Sequence, residues 1–358
     1  MAGADEPFSL DSLRQCLPWQ AVTNRMLAVH PQDLPLWNPY AFCGAPLFAD
    51  PQVQVYYPPA LLFRFLDFPA ALGCYLSVHA LIMLGGMIVF LRSWGIGPFG
   101  VAIGSLGVTL GLHAFLLECN PQSVAAHAWL PAIAWATSRL GAPGARAVMP
   151  VLGLCFCMEI LSGLPQYVLF AATTAGVFSI GPTWSATRDR LSKVAVAGML
   201  GVILAAPALL PAGAYILADT LRGSPLPAAL RGVDDLPPVN LLGYVSPLLF
   251  GGRGPGSLAY ARTYWVTLHF VGTVTLALAV SAVTVYRSRA VLPALGLLVV
   301  GTSLGLGYHL PVLGPVLKNA FPLNVFRHSA MWMALTNLGL AWLAAQGASH
   351  PPQCSGAA

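Results

Sequence analysis

Long apolar stretches, separated by short polar connections, make up most of this chain. A helix needs about 20 apolar residues to cross a bilayer, and nine stretches approach that requirement. They lie at 70–91, 99–117, 123–138, 147–162, 166–182, 194–217, 265–286, 290–308 and 328–346. The pattern therefore predicts an all-α fold, a polytopic transmembrane helical bundle of about nine spans.

The fourth and fifth stretches are separated by only three residues, Gly163, Leu164 and Pro165. Proline lacks the amide hydrogen that a continuous helix needs, and it disfavours helical backbone in the residue before it. We therefore expect two short spans joined by a tight turn.

Before the first span, the segment Pro35–Pro59 has neither helical nor strand periodicity. Its sequence, PLWNPYAFCGAPLFADPQVQVYYPP, is crowded with aromatic residues, prolines and glycines. Its prolines oppose a helix, and so many apolar side chains are costly to leave in water. We expect an ordered loop at a membrane face, where a lipid-borne substrate can be handled.

Composition agrees with a membrane protein. Only 8% of the residues are charged and 57% are hydrophobic, whereas soluble proteins carry about 25% charged residues. The net charge of +5 does not indicate a nucleic-acid partner, because the basic residues lie in short connections between spans. Motifs of P-loop ATPases, zinc proteases and serine hydrolases are absent from the sequence, so no nucleotide cofactor is indicated.

Charge also predicts orientation. If the N-terminus is extracytoplasmic, the short inner connections carry one acid, Asp189, and eight basic residues: Arg92, Arg139, Arg146, Arg188, Arg190, Lys193, Arg287 and Arg289. This satisfies the positive-inside rule and predicts a multi-pass protein of a bacterial cytoplasmic membrane with a cytoplasmic C-terminus. The organisation is then an outer first loop at 1–69, spans 1–6 at 70–217, an outer loop at 218–264, spans 7–9 at 265–347 with an outer interfacial segment at 309–327, and a disordered tail at 348–358.

Candidate chemistry begins in the first loop. Asp11 and Gln15 share one face if Ser12 to Leu27 is helical, although Asp11 is also suited to capping that helix. Further along the loop, Asn38, Asp50 and Gln52 are candidate sugar or acceptor contacts.

Polar residues at the outer ends of the spans are a second group of candidates. Glu118 and His127 flank the second outer connection, and each is also suited to a purely interfacial or interhelical role. Glu159 lies among apolar residues near the end of the fourth span, where an acid is expensive, so it is either a functional site or half of a structural pair. Gln166 follows the predicted helix break, where half-helix ends present free backbone groups.

The third group of candidates is basic. Lys318, Arg327 and His328 lie at the predicted outer face, where the positive-inside rule does not account for them. Arginine and lysine suit a phosphate carried by a lipid, and equally the head groups of anionic lipids. Arg253, within FGGRGPG, is suited to closing over a ligand from an outer loop or to remaining solvated.

The run PLWNPYAFCGAPLFADPQVQVYYPPALLF resembles the first-loop motif of the bacterial YfhO-like membrane proteins, which are placed in the GT-C glycosyltransferase superfamily. NPQSVAAHAWLPAIAW, SGLPQYVLF, LLGYVSPLLFGG and NVFRHSAMWMALTNLGLAWLAAQG follow in the family's order. The resemblance implies an outward-facing active site between the first loop and the membrane. Family members begin with an additional span and continue into further spans, so the resemblance implies a chain shortened at both ends.

The resemblance also implies roles for individual residues. Asp11 corresponds to an acid that acts as catalytic base or orients the acceptor, and Glu118 to a second catalytic acid. Lys318 and Arg327 correspond to residues that hold the donor phosphate. A divalent metal remains possible in such a site.

The sequence thus predicts a glycosyltransferase that uses a polyprenyl-phosphate sugar donor and a cell-envelope acceptor, with membrane lipid around it. Two alternatives stay open. One is a transporter or lipid flippase that uses Glu159, and the other is an inactive, shortened family member.

Overall fold

The computed structural model describes residues 15, 17–29, 32–41, 43–119, 121–219, 227, 235–246, 249, 269–286, 291–326 and 328–349. Within these ranges, the side chains of 112–119, 219, 285–286 and 317–318 are not described. Asp11, Arg253 and Arg327 lie outside the described residues, as do residues 350–358 of the predicted tail at 348–358. The prediction is wrong for residues 348 and 349, which continue the helix Met333–Ser349. Glu118 and Lys318 are placed in helices, but their side chains are outside the description.

The described residues are mostly helical, and the strands among them are two residues long, which confirms the all-α prediction. The α-helices are α1 Leu17–Val29, α2 Leu62–Phe65, α3 Phe68–Ser93, α4 Pro98–Cys119, α5 Pro121–Ala128, α6 Leu130–Ser138, α7 Ala145–Leu161, α8 Pro165–Ser179, α9 Trp184–Asp219, α10 Thr273–Ser281, α11 Leu292–Leu306, α12 Leu313–Asn319 and α13 Met333–Ser349. A π-helical turn, Ala282–Tyr286, continues α10.

Three helical segments among the described residues are long and apolar enough to cross a membrane: Phe68–Ser93, Trp184–Ala218 and Leu292–His309. They agree with the predicted first, sixth and eighth spans. Over their described residues, the other apolar helices do not reach the length and hydropathy of these three, so a membrane protein is supported while nine crossings remain a prediction.

The helix breaks follow local chemistry. The predicted break at Gly163–Pro165 is confirmed, because α7 ends at Leu161 and α8 begins at Pro165. The prediction of one helix over 123–138 is wrong, since α5 and α6 are separated at Trp129. Pro131, in the first turn of α6, has no amide hydrogen to continue a helix from α5.

The predicted sixth span starts earlier than expected. We predicted a helix over 194–217, but α9 begins at Trp184 and includes the basic connection. The Lys193 ammonium lies 2.6 Å from the Asp189 carboxylate one turn earlier, and pairs at this spacing stabilise a helix. Charged residues therefore extend the helix beyond its apolar part.

The described residues form two compact units. The first contains α1, α2, the part of α3 up to Ile82, and α5 to α9. The second contains α3 from Met83, α4 up to Phe115, the 3-10 turn Pro238–Tyr244 and α10 to α13. Phe321–Phe326 belongs to the first unit.

The second unit is built on close helix packing. Residues 333–347 of α13 are buried throughout. A side-chain carbon added at Gly104 of α4 would lie 2.8 Å from the Ala345 side chain. Small residues therefore let α4 and α13 approach closely, as in membrane helix pairs.

The first unit packs the first loop against α3. Tyr57, Phe63 and Tyr75 form an apolar cluster with their neighbours, and the rings of Phe63 and Tyr75 lie 5.5 Å apart. The loop is thus part of the unit's core.

Candidate functional site

The first part of the loop is a short hairpin in which each strand has two residues. β1, Trp37–Asn38, pairs antiparallel with β2, Ala45–Pro46. Gly44 has φ +113°, and a side-chain carbon there would lie 2.6 Å from the Trp37 indole. Glycine at this position therefore allows the indole to lie directly on the backbone of the turn.

Asn38 and Asp50, both predicted sugar contacts, have local structural roles. The Asn38 side-chain oxygen accepts a hydrogen bond of 2.9 Å from the Tyr40 amide. The Asp50 carboxylate caps the 3-10 turn Pro51–Val53 by accepting 2.9 Å from the Gln52 amide. These bonds hold the turns at each end of the loop's central stretch.

Gln15 and Gln52, also predicted substrate contacts, are brought together. The Gln15 amide donates to the Gln52 side-chain oxygen at 3.1 Å. The Gln52 backbone oxygen in turn accepts 3.1 Å from the Gln122 side chain at the start of α5. One glutamine therefore links the segment before α1 to the first turn of α5.

Gln54 is a functional candidate that the sequence analysis missed. Its backbone is left-handed, with φ 58°, and its buried side chain bridges two helices. The side-chain amide donates 2.6 Å to the Ser162 carbonyl in the α7–α8 turn, and the side-chain oxygen accepts 2.9 Å from the Tyr75 hydroxyl on α3.

Gln20 was missed as well. It is buried on α1 and donates 2.8 Å to the Val53 carbonyl. Gln20, Gln54 and Gln122 share one feature that the sequence displays: each is an uncharged amide side chain in otherwise apolar surroundings. We define the segment 50–57, fixed by these three glutamines, as the anchored loop.

The anchored loop ends in a buried polar network around Tyr57. The Tyr57 hydroxyl accepts 2.9 Å from the Trp129 indole and lies 2.7 Å from Nε2 of His79. Nδ1 of His79 lies 2.6 Å from the Tyr75 carbonyl. A carbonyl only accepts, so Nδ1 carries the proton, and in the neutral ring Nε2 accepts from Tyr57.

Burial raises the pKa of the Tyr57 hydroxyl well above its ordinary value, and the Trp129 hydrogen bond opposes part of that rise. Tyr57 is therefore a neutral hydrogen-bonding group at physiological pH rather than a base.

His127 is fully buried on α5. Its Nδ1 donates 2.8 Å to the Ser123 carbonyl, and its ring meets the Tyr167 ring edge-to-face at a centroid distance of 4.6 Å. Nε2 of His127 and the side-chain oxygen of Gln122 have no hydrogen-bond partner among the described residues. These two atoms can accept hydrogen bonds from a ligand that enters between the buried helices.

Glu159 is the most unusual side chain in the first unit. It lies near the end of α7 with 0% of its surface exposed, and neither carboxyl oxygen has a hydrogen-bond partner within the described residues. Its backbone carbonyl accepts 2.6 Å from the Ser162 hydroxyl, so it is tied to the same turn as Gln54.

Two described candidates remain, Gln166 and His328. Gln166 is buried in the first turn of α8. His328 belongs to the second unit and immediately precedes the 3-10 turn Ser329–Trp332. Among the described residues, the structure thus brings together Gln15, Gln52, Glu159 and the missed glutamines.

A metal centre finds no support within the described ranges, since they contain no group of three or more His, Cys, Asp or Glu side chains suited to one. Comparison with protein-family models, curated proteins and solved structures found no match to this chain.

Proposed function

We propose that this chain is a membrane glycosyltransferase of the GT-C type. It transfers a sugar from a polyprenyl-phosphate donor to a cell-envelope acceptor at the outer face of a bacterial cytoplasmic membrane. The proposal includes nine spans, an extracytoplasmic N-terminus and a cytoplasmic C-terminus.

The observation that carries the proposal is the anchored loop. Gln54 joins it to the α7–α8 turn and to α3, and Gln122 joins it to α5. A loop fixed to two helices and to the turn between two others is suited to be a preorganised platform, and precise positioning of two substrates requires such a platform. The YfhO-like resemblance expects the active site between this loop and the membrane.

In the proposed reaction, an acceptor hydroxyl attacks the anomeric carbon of the donor sugar. The bond from that carbon to the phosphate oxygen breaks, and the polyprenyl phosphate leaves. Asp11 takes the hydroxyl proton as general base, with Glu118 as the second acid. Arg327 and Lys318 stabilise the departing phosphate, since charge that develops in a transition state is best met by fixed cations.

The proposal is tested by sugar transfer from radiolabelled polyprenyl-phosphate donors with the purified chain, with and without divalent metal. We expect Asp11→Asn to lower the rate at least about 100-fold, the usual size of general-base catalysis. Asp189→Asn, which changes an exposed acid at the start of α9, is the matched control and retains transfer. Equal rates for wild type and Asp11→Asn would refute the assignment of the base.

A second candidate, a transporter or lipid flippase, is favoured by one observation: the Glu159 carboxyl is fully buried and has no hydrogen-bond partner among the described residues. Such acids mark ion and proton pathways in membrane proteins. Substrate flux into proteoliposomes that is lost in Glu159→Gln and kept in Asp11→Asn would favour this function, and the reverse pattern favours the transferase.

A further inference from the structure

A small pocket in the first unit lies between α1, the anchored loop and α2. It encloses about 210 Å³, part of which is open to solvent, whereas pockets that enclose a drug-sized ligand measure about 300–1,000 Å³. The pocket therefore suits a small chemical group. More than half of its lining residues are polar or charged, namely Gln20, Thr23, Asn24, Gln54 and Arg64.

Thr23 contributes a hydroxyl without a partner. The residue is 3% exposed, and its Oγ1 has no hydrogen-bond partner among the described residues. Buried hydroxyls are normally paired, because burial without a partner is costly. A ligand that accepts a hydrogen bond in this pocket would provide the partner that Thr23 lacks.

Arg64 contributes a positive charge. Its side chain is exposed, and one of its terminal nitrogens lies 3.5 Å from the Val55 carbonyl oxygen. This distance is longer than the about 2.7–3.2 Å of an ordinary hydrogen bond, so the contact leaves the donors of the guanidinium available. None of the described residues that line the pocket is acidic, and the charge of the pocket is therefore positive.

Two side-chain amides add further donors. Gln20 donates one amide hydrogen to the Val53 carbonyl, and Asn24 donates one to the Phe63 carbonyl. A side-chain amide carries two such hydrogens, so each residue retains one. A cation, a hydroxyl and amide donors without a carboxylate form a site for a small oxyanion, and arginine in particular matches the oxygens of a phosphate.

The position of the pocket before the first long apolar helix favours a phosphate carried by a lipid. Arg64 lies four residues before α3, which has 26 residues and is long and apolar enough to cross a membrane. At 1.5 Å per residue, α3 is about 39 Å long, whereas the hydrocarbon core of a bilayer is about 30 Å thick. When α3 crosses the bilayer, the residues just before it therefore lie among the lipid head groups.

Exposed apolar side chains flank Arg64. Phe65 is 80% exposed, and Leu61 and Leu66 are exposed as well. Leu61 also lines the pocket. Apolar side chains beside an arginine suit the boundary of a bilayer, where the cation remains with the head groups and its neighbours contact the acyl chains. These surroundings favour a phospholipid over a phosphate from solution.

We propose that this pocket is a phosphate-binding site for the head group of an anionic membrane phospholipid. Arg64 pairs with the phosphate, the Thr23 hydroxyl and the amides donate hydrogen bonds to it, and Phe65 contacts the acyl chains. The site uses none of the residues proposed to hold the sugar donor. This inference goes beyond the proposed transfer reaction and does not depend on it.

Native mass spectrometry of the purified chain, titrated with phosphatidylglycerol in detergent, tests the site. Arg64→Gln should weaken binding of the tightest lipid at least about tenfold, because a hydrogen-bonded charge is lost. Arg25→Gln, which changes an exposed arginine of α1 outside the pocket, is the matched control and should keep the wild-type affinity. Unchanged affinity in Arg64→Gln, or equal losses in the two variants, would overturn the proposal.

Thr23→Val separates ligand binding from a structural role. Because the hydroxyl has no partner among the described residues, valine should leave the unfolding temperature of the lipid-free protein unchanged or raise it. The same substitution should weaken phosphatidylglycerol binding about three- to tenfold. A lower unfolding temperature, or an unchanged lipid affinity, would overturn the hydroxyl as a contact of the ligand.

Two further ligands distinguish the sources of the phosphate. Glycerol phosphate lacks acyl chains and should bind at least about tenfold more weakly than phosphatidylglycerol, and binding as tight as that of the lipid would overturn the lipid as the source. Phosphatidylcholine carries no net charge, so a preference for phosphatidylglycerol should be present in the wild type and reduced in Arg64→Gln. Neither measurement uses a sugar donor, so a negative result here is distinct from a negative transfer assay.

Discussion

Individual side chains in the first unit stabilise the loop by bridging rather than by apolar contact alone. Gln54 satisfies a carbonyl on the α7–α8 turn and a hydroxyl on α3 with one amide. Hydrogen bonds between buried groups contribute about 1 kcal/mol each, but a buried partner left unsatisfied costs about 1–3 kcal/mol. Removing the Gln54 side chain should therefore destabilise the loop by more than the free energy that its two hydrogen bonds contribute.

We predict that Gln54→Ala lowers the free energy of opening the anchored loop by about 2–4 kcal/mol, because Ser162 and Tyr75 lose their partner. Gln20→Ala, which removes a single bond to Val53, should cost about 1–2 kcal/mol. Exchange of the Tyr57 amide measures both. Equal effects of the two substitutions would contradict the bridging role of Gln54.

Tyr57 gives a pH prediction at the same scale. Because burial raises its pKa above the ordinary value, folded Tyr57 stays neutral as the pH passes about 10, and the stability of the seated loop decreases above that pH. In an ultraviolet titration of the folded protein near pH 10, Tyr57→Phe should match the wild type. In denaturant, the Tyr57→Phe variant should titrate one tyrosine fewer than the wild type, which has eleven. A missing tyrosine in the folded titration would contradict the expected shift.

The sequence predicted some of these residues and missed others for a physical reason. Asp50 and Gln52 stood out because polar residues are rare in an aromatic stretch. The role of Gln54 depends on Ser162, which lies 108 residues away. No local pattern reports such a contact. That Glu159 has no hydrogen-bond partner within the described part of the chain likewise becomes visible only once the neighbouring helices are placed.

At the scale of elements, the α7–α8 turn is the feature that positions the loop. Its glycine allows a left-handed backbone and a close approach of Gln52. The sequence predicted the break from Gly163 and Pro165, since both act locally. The sequence did not predict the early start of α9, because the prediction followed the apolar residues and the charged residues before them also form helix. It did not predict the break between α5 and α6, because the apolar pattern continues through Pro131.

We predict that Gly163→Ala destabilises the protein by about 2–4 kcal/mol, from left-handed strain of about 1–2 kcal/mol and the contact with the anchored loop. Gly176→Ala, in the last turn of α8 where an added carbon meets nothing within 4 Å, is the matched control. It should be neutral or stabilising by up to about 1 kcal/mol. Thermal unfolding in detergent compares the two, and a neutral Gly163→Ala would contradict the packing of loop on turn.

At the scale of the whole molecule, hydropathy predicts a helical membrane protein, because every residue of a span has to suit the apolar interior of the bilayer. It does not decide how many of the shorter helices cross. With an extracytoplasmic N-terminus, nine spans and three spans both leave the C-terminus in the cytoplasm. The two arrangements differ at the connection before α11, which is cytoplasmic with nine spans and extracytoplasmic with three.

We predict that a cysteine at Ser288, in a background without other cysteines, is protected from a membrane-impermeant maleimide in intact cells and reacts after permeabilisation. The nine-span arrangement places Arg287 and Arg289 in the cytoplasm, as the positive-inside rule requires. Pro143→Cys should be protected and Ser224→Cys labelled in both arrangements, so they control for cell integrity and reagent access. Labelling of Ser288→Cys in intact cells would contradict the nine-span arrangement and agree with the three-span one.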